Sequence, residues 1–332
     1  MENLPQSPRE RSHREDCAIT VAEVGEFGLI ERLTARFAAG PAQEAVLGPG
    51  DDAAVLAVPD GRVVATTDLL VDARHFRRDW STATDVGRKA AAQNLADIAA
   101  MGAVPTGLLL GLAVPPDLAV AWLEELADGM RAECEPLGAR VLGGDVTRSD
   151  VLVLAVTAFG DLQGRAPVTR SGARPGDVVA YTGRLGWAAA GLAVLGRGFR
   201  SPVGMVAAHR RPEPPYAQGP RAAELGATAM VDVSDGLVAD LQHVAVASEV
   251  GIELDTSRLE VPAKLRDVGK ALGIEPMDWV LAGGDDHALA ATFPGDRHPP
   301  APWRVIGRVA RGRGVVVDGA AYPGPGGWDH FR

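Results

Sequence analysis

The sequence predicts an α+β protein of two domains. Three observations carry this reading. The chain has 332 residues, enough for about two domains at roughly 150 residues each. Both halves mix short apolar runs, which read as strands, with longer runs of helical period. A second composition unit begins near Arg165. The division that follows is a disordered N-terminal extension over residues 1–20, a first domain over 21–163 and a second over 164–332. A chain this long can bury a core without disulfide staples.

In the first domain, Gly25 to Ala38 places Phe27, Ile30, Leu33 and Phe37 at helical spacing. The loop Gly48-Pro49-Gly50-Asp51-Asp52 opens an expected strand from Ala53 to Val58. Pro59-Asp60-Gly61-Arg62 is a turn, and Val63 to Thr67 is the returning strand of a hairpin. Thr82 to Met101 is an alanine-rich helix ended by Gly102. Pro105 to Val114 reads as a strand, and Pro116 to Cys134 as a helix with proline at its start. Val141-Leu142 runs into a Gly143-Gly144-Asp145 loop, and Val151 to Phe159 is an apolar strand.

In the second domain, Asp177 to Thr182 is a strand that turns into a helix from Trp187 to Leu195. Gly196 to Pro220, rich in Pro and Arg, reads mostly as connection. Thr228 to Val233 is a strand feeding Ser234-Asp235-Gly236 and a helix from Leu237 to Ser248. Asp235 stands where a helix N-cap belongs. Gly283-Gly284-Asp285-Asp286 precedes a strand from His287 to Phe293. Trp303 to Val309 and Val315 to Val317 close the sheet.

Composition removes several function classes. The net charge of −10 disfavours nucleic acid, whose phosphates are held by dense Lys and Arg patches. No apolar run approaches the ~20 residues of a membrane span. The two cysteines, Cys17 and Cys134, are too few for a disulfide framework and fit a reducing cytoplasm. There is no GxxxxGK[ST] phosphate loop, no GxGxxG after a strand, no GxSxG and no HExxH.

What remains is a set of aspartates at strand and loop ends, several beside glycine. They are Asp51 and Asp52, Asp68, Asp145, and Asp232 with Asp235. Glycine permits sharp turns and close approach of a ligand. Carboxylates gathered at such turns suit a hard cation such as Mg²⁺. Each aspartate alone reads first as a turn or cap residue. Their recurrence at several loops is what points to chemistry. Asp97 differs, because it lies inside a helix among Leu95, Ile98 and Met101, where an unpaired carboxylate is costly.

GEFGLIERL, GPGDDAAVL, TTDLLVDARHF, NLADIAAMGA, GGDVTRS, TRSGARPGD, DVSDGLVADL and GGDDHAL resemble, in order and spacing, the motifs of the thiamine-monophosphate kinase family. That family lies within the aminoimidazole ribonucleotide synthetase-like ATP-binding group. The resemblance runs from about Gly25 to Phe331.

The resemblance implies two α+β domains, with the N-terminal sheets of two subunits pairing into a barrel across a homodimer. The first domain would bind ATP and Mg²⁺ and dimerise. The implied reaction is ATP-dependent phosphorylation of thiamine monophosphate to thiamine diphosphate, the last step of thiamine diphosphate biosynthesis. Transfer would be direct and in line, with several Mg²⁺ ions and no general base. Implied metal ligands are Asp51, Asp52, Thr66, Thr67, Asp68, Asp97, Asp145, Asp232 and Asp235. Gly144, Asp145, Arg170 and Ser234 match ATP-contacting positions. His75, Asp285 and Trp328 match the substrate side. The family commonly reads GGEDYEL where this chain has GGDDHAL, so Asp285 stands for Glu, His287 for Tyr and Ala288 for Glu.

Overall fold

The computed structural model of the chain describes residues 19–38, 53–324 and 327. Asp51, Asp52 and Trp328 lie outside the described residues, as does the expected extension up to residue 18. Ile19 and Thr20 are already paired with the chain ahead of α3: the Val120 N–H donates to the Ile19 carbonyl at 2.9 Å or less, and Thr20 bridges Ala119.

The first domain carries α1 (Val21–Ala38), β1 (Val64–Val71), α2 (Ala83–Ala100), β2 (Val104–Val114), α3 (Val120–Cys134), β3 (Arg140–Arg148) and β4 (Val153–Asp161). Its strands form one sheet in the order β1-β4-β2-β3. Leu70, Leu108, Leu110, Leu112, Leu154 and Val156 point to one face and are buried beneath α2 and α3. The opposite face is open. It presents Thr67, Leu69, Ala155, Thr157 and Phe159, and Leu69 is 57% exposed.

The alanine content of α2 has a packing cause. The helix lies between the first sheet, α3 and the second domain, and most of its residues are buried. Gly87 and Gly129 let α2 and α3 cross closely. A Cβ at Gly87 would lie 2.0 Å from the Leu126 carbonyl oxygen, and one at Gly129 would lie 2.3 Å from that of Thr84. The helix starts at a capping box, in which Thr82 accepts from the Asp85 N–H and Asp85 accepts from the Thr82 N–H.

The second domain contains β5 (Val178–Thr182), α4 (Trp187–Gly196), α5 (Val203–Arg210), α6 (Gln218–Leu225), β6 (Ala229–Val233), α7 (Leu237–Ser248), β7 (Gly251–Leu254), α8 (Ala263–Leu272), α9 (Pro276–Ala282), β8 (Ala288–Phe293), β9 (Arg304–Ala310), β10 (Gly314–Val317) and β11 (Ala320–Ala321). The sheet order is β11-β10-β7-β9-β5-β8-β6. β6 and β8 are buried at every position. One face packs under α4, α5, α7 and α9, and the other is covered by α6 and the end of α2. Burial on both faces explains why these strands read as continuous apolar runs.

Three expectations are corrected. Ala53 to Val58 forms no strand, and β1 pairs with β4 rather than in a hairpin. Val55 and Val58 are 55% and 39% exposed, while Ala54 and Leu56 on either side of Val55 are half-buried. Gly143-Gly144-Asp145 is not a loop but the middle of β3, paired in parallel with β2. Gly144 is there because a Cβ would lie 1.9 Å from the Leu110 carbonyl oxygen. Gly196 to Pro220 holds all of α5 and the start of α6. Met205 and Val206 bury against α4, and Gly191 admits the Met205 carbonyl where a Cβ would lie 2.1 Å away.

Candidate active site

The site lies where α2 meets the second domain. β1 alternates its side chains, so Thr66 and Asp68 face α2 while Thr67 faces the open side. The Thr66 hydroxyl donates to Asp97 Oδ2 at 2.7 Å. Gln93 hydrogen-bonds Asp68. Lys89, Gln93 and Asp97 recur every fourth residue on α2 and make one polar stripe along an alanine-rich helix.

The second domain meets this stripe with two loops packed backbone to backbone. Asp232 is the penultimate residue of β6, and Ser234-Asp235-Gly236 leads into α7. The Asp285 N–H donates to the Ser234 carbonyl at 2.8 Å, and that of His287 to the Val233 carbonyl at 3.0 Å. Gly284 is required there, since a Cβ would lie 2.2 Å from the Ser234 carbonyl oxygen. Asp235 is not the cap of α7. Gly236 holds that position at φ 127°, and the Asp240 carboxylate accepts from the N–H groups of Asp235 and Gly236, each at 3.0 Å. His287 Nδ1 lies 3.0 Å from Asp232 Oδ2, with both residues buried.

Crowding of carboxylates sets the electrostatics. Burial, then Asp232 and Asp68, push Asp97 up to about 7, against the Thr66 hydroxyl. Burial also raises Asp68, with Asp232 adding to it and Gln93 and His287 opposing. Asp240 is pushed up to about 8 by burial, Asp232 and Asp235. For His287, burial disfavours the imidazolium, but the hydrogen bond to Asp232 and the charges of Asp232, Asp285 and Asp97 outweigh it and raise its affinity for a proton. Several oxygen anions therefore share a pocket with too little positive charge, an arrangement that favours a bound cation. Among the described residues, no three His, Cys, Asp or Glu side chains form a closed ligand set. Mg²⁺ does not need one, because it is ordinarily held by one or two carboxylates with water and substrate phosphate oxygens. The donor chemistry fits.

Asp145 stands elsewhere. It pairs with Gly111 on β3, at the edge of the sheet opposite β1, and it shares the open face with Thr67. Three strand spacings of ~4.8 Å separate that edge from Asp68. Asp145 and Asp68 therefore serve different ions if both are ligands. Gly144 lies beside Asp145 in β3. Arg170 is exposed in the loop ahead of β5, where its carbonyl accepts from Ser248 Oγ at 2.9 Å. His75 Nδ1 accepts from the Val71 N–H at 3.0 Å. Asp285 accepts from Lys89 Nζ at 2.9 Å.

Residues 50–162 match the AIR synthase related protein N-terminal domain, and residues 174–319 match the corresponding C-terminal domain. A thiamine-monophosphate kinase of Mycobacterium tuberculosis is 49% identical over 314 residues, covering 94% of this chain and 93% of that one. The chain belongs to the thiamine-monophosphate kinase family. A crystal structure of a thiamine-monophosphate kinase from Stenotrophomonas maltophilia superposes with a TM-score of 0.78 at 35% identity, covering 89% of this chain and 96% of that one. A solved complex described as AaThiL with AMPPCP and TMP gives a TM-score of 0.77 at 33% identity, covering 94% and 99%.

Within this thiamine-monophosphate kinase family member, the pocket draws on Lys89 and Asp240, which motif reading passed over. Gln93, which the sequence places on one face with Asp97, bonds Asp68, and His287 is central rather than a mere departure. The fourfold spacing of Lys89, Gln93 and Asp97 in an alanine-rich helix was the available signal. Asp240 carried none, since an aspartate in the first turn of a helix is ordinary.

Proposed function

We propose that the protein transfers the γ-phosphoryl group of ATP to the phosphate of thiamine monophosphate, giving thiamine diphosphate and ADP, the last step in making that cofactor. The observation that carries this reading is the convergence of Asp68 and Asp97 from the first domain with Asp232 from the second, where Asp232 raises the proton affinity of both and Asp68 that of Asp97. Both reactants are anions. Two like unit charges ~4 Å apart repel by about 4 kcal/mol at an effective dielectric near 20. Mg²⁺ held by these carboxylates would supply positive charge to offset that repulsion and the charge that develops on the phosphates.

Asp68, Asp97, Asp232 and Asp235 would hold such ions from the domain interface, and Thr67 and Asp145 from the open face. Thr66, through its hydroxyl, fixes the Asp97 carboxylate. Because His75 Nδ1 is an acceptor, its proton sits on Nε2, which can donate to a phosphate oxygen of the substrate. Ser234, Gly144 and Arg170 would position ATP, and Asp285 and Trp328 the thiamine side. The acceptor oxygen is already ionised, so no side chain acts as a general base. Transfer is direct and in line, driven by positioning and charge stabilisation.

Residues 21–163 form the ATP-binding and dimerising domain in this reading, and 164–332 the second domain. A second copy covers the open face of the first sheet and completes a barrel. Exposed Leu69 opposite half-buried Ala155, with half-buried Phe159 on the same face, supports that contact. Among the described residues no helix is long and apolar enough to cross a membrane, and we place the enzyme in the cytoplasm. The test offers ATP and Mg²⁺ with thiamine monophosphate, thiamine and unrelated phosphate monoesters in parallel. Diphosphate formation from thiamine monophosphate alone is expected. Turnover of another acceptor in its place overturns the assignment.

A further inference from the structure

Lys89 is 2% exposed, yet it carries an ammonium group at the contact between the two domains. A buried charge is tolerated only when it is paired and its donors are satisfied. Lys89 meets that demand with three acceptors from three chain segments. Its Nζ donates to Asp285 Oδ2 at 2.9 Å, to the His75 carbonyl at 3.3 Å and to the His209 carbonyl at 3.4 Å. The first acceptor lies in the loop between α9 and β8, the second in the turn after β1, and the third in the last turn of α5. A helix leaves its last carbonyls without intrahelical partners, so the third contact also satisfies the end of α5.

Each segment is tied within its own domain, the loop through the Asp285 and His287 N–H groups and the turn through the His75 N–H on the Val71 carbonyl, and Lys89 joins the one to the other. Asp285 adopts φ 68° and His287 φ 51°, conformations that cost energy for residues other than glycine. Ala73, in the turn that carries His75, adopts φ 65°. The neighbouring cation candidate does not share the task. His209 Nδ1 lies 3.9 Å from Asp285 Oδ2, too far for a hydrogen bond, and burial with Lys89 beside it drives that imidazole down to about 3, so it stays neutral. Asp285 is held down to about 2: burial acts against its ionisation, but the Lys89 charge and hydrogen bond, with His287, outweigh it. Its side chain keeps 43% of its surface exposed, so the carboxylate bridges Lys89 and the open pocket.

We propose that Lys89 is a positioning residue that clamps the Gly283–His287 loop of the second domain to the His75 turn of the first, setting the separation of Asp285 and His75 across the thiamine-phosphate side of the site. The inference rests on the proposed function for the identity of that substrate. It does not rest on it for the clamp. Lys89 Nζ directs its donors at Asp285, His75 and His209, so its loss acts through the segments it joins. ATP-side residues Ser234, Gly144 and Arg170 are not among its partners.

Lys89→Met keeps an unbranched chain one atom shorter and removes the charge and donors. The expected result is a KM for thiamine monophosphate raised tenfold or more, with the KM for ATP within twofold of wild type. Amide exchange gives a readout independent of activity. Exchange at His75, Asp285 and His287 should quicken at least tenfold, while exchange within β2 and β5 stays unchanged. If the single variant fails to fold, Lys89→Met with Asp285→Asn removes both members of the pair, and exchange at His75 is read in its place. Unchanged exchange at both segments, or equal rises in both KM values, overturns the proposal. Should the wild type make no thiamine diphosphate, the proposed function fails, and the exchange result alone decides the clamp.

Discussion

The Thr66 hydroxyl and the Asp97 carboxylate lie 2.7 Å apart, one on a strand and the other on the helix that covers it. The bond aims Asp97 toward Asp68 and Asp232 and so holds like charges together. Asp97→Asn keeps the shape and can still accept from Thr66, but it removes the charge. Turnover should fall at least a hundredfold, while the thermal midpoint of the metal-free protein stays level or rises, because repulsion is relieved. Coupled assay and thermal unfolding check the two halves. Activity near wild type would remove Asp97 from the site.

The same crowding predicts how stability depends on pH. Asp97 and Asp240, at about 7 and 8 in the folded chain, sit above their ordinary value of 3.8. Between those values the folded chain holds protons that the unfolded chain has released. Stability from these groups is fully present below about pH 4 and is lost as pH rises through 7 to 8. Chelator-treated protein should therefore unfold several degrees lower at pH 8.5 than at pH 6, and millimolar Mg²⁺ should restore much of the difference at pH 8.5. A midpoint that climbs across this window, unaffected by Mg²⁺, contradicts the account.

Adjacent glycines in β3 offer a contrast within one strand. A Cβ on Gly144 would meet the Leu110 carbonyl oxygen at 1.9 Å, whereas one on Gly143 meets nothing nearer than Leu109 Cδ2 at 3.8 Å. Gly144→Ala should cost about 1–3 kcal/mol in chemical denaturation, with Gly143→Ala below ~1 kcal/mol. Equal costs would show that β2 and β3 do not approach as described.

Leu69 tests the open face. Leu69→Glu places a charge at the centre of an apolar surface without touching the core of its own chain. Sedimentation should show a dimer for the wild type and a monomer for the variant, with activity lost alongside. A wild type that sediments as a monomer would refute the barrel-forming contact.

Much of the fold was legible because local signals and burial agree. α7 runs over the expected Leu237 to Ser248, and α2 begins at Thr82, where the capping box announces it. β6 and β8 announced themselves as apolar runs because both faces are covered. Gly143-Gly144-Asp145 misled because glycine pairs occur in turns and also where two backbones meet, and only the neighbouring strand tells these apart. α5 was hidden by the prolines around it, although Pro202 at its N-cap starts the helix rather than breaking it. In the site, the aspartates were visible as motifs, but their division between two faces of one sheet depends on the pairing of β2 with β3. The His287–Asp232 pair was invisible, since it joins residues 55 positions apart.

The most direct test of the central claim follows the phosphoryl group itself. ATP labelled in the γ-phosphate is mixed with the wild-type protein, Mg²⁺ and thiamine monophosphate, and the labelled products are separated. The account predicts that label appears in thiamine diphosphate in step with ADP, that chelation stops it, and that no labelled protein accumulates. Folded protein that binds ATP yet leaves thiamine monophosphate unlabelled would contradict it.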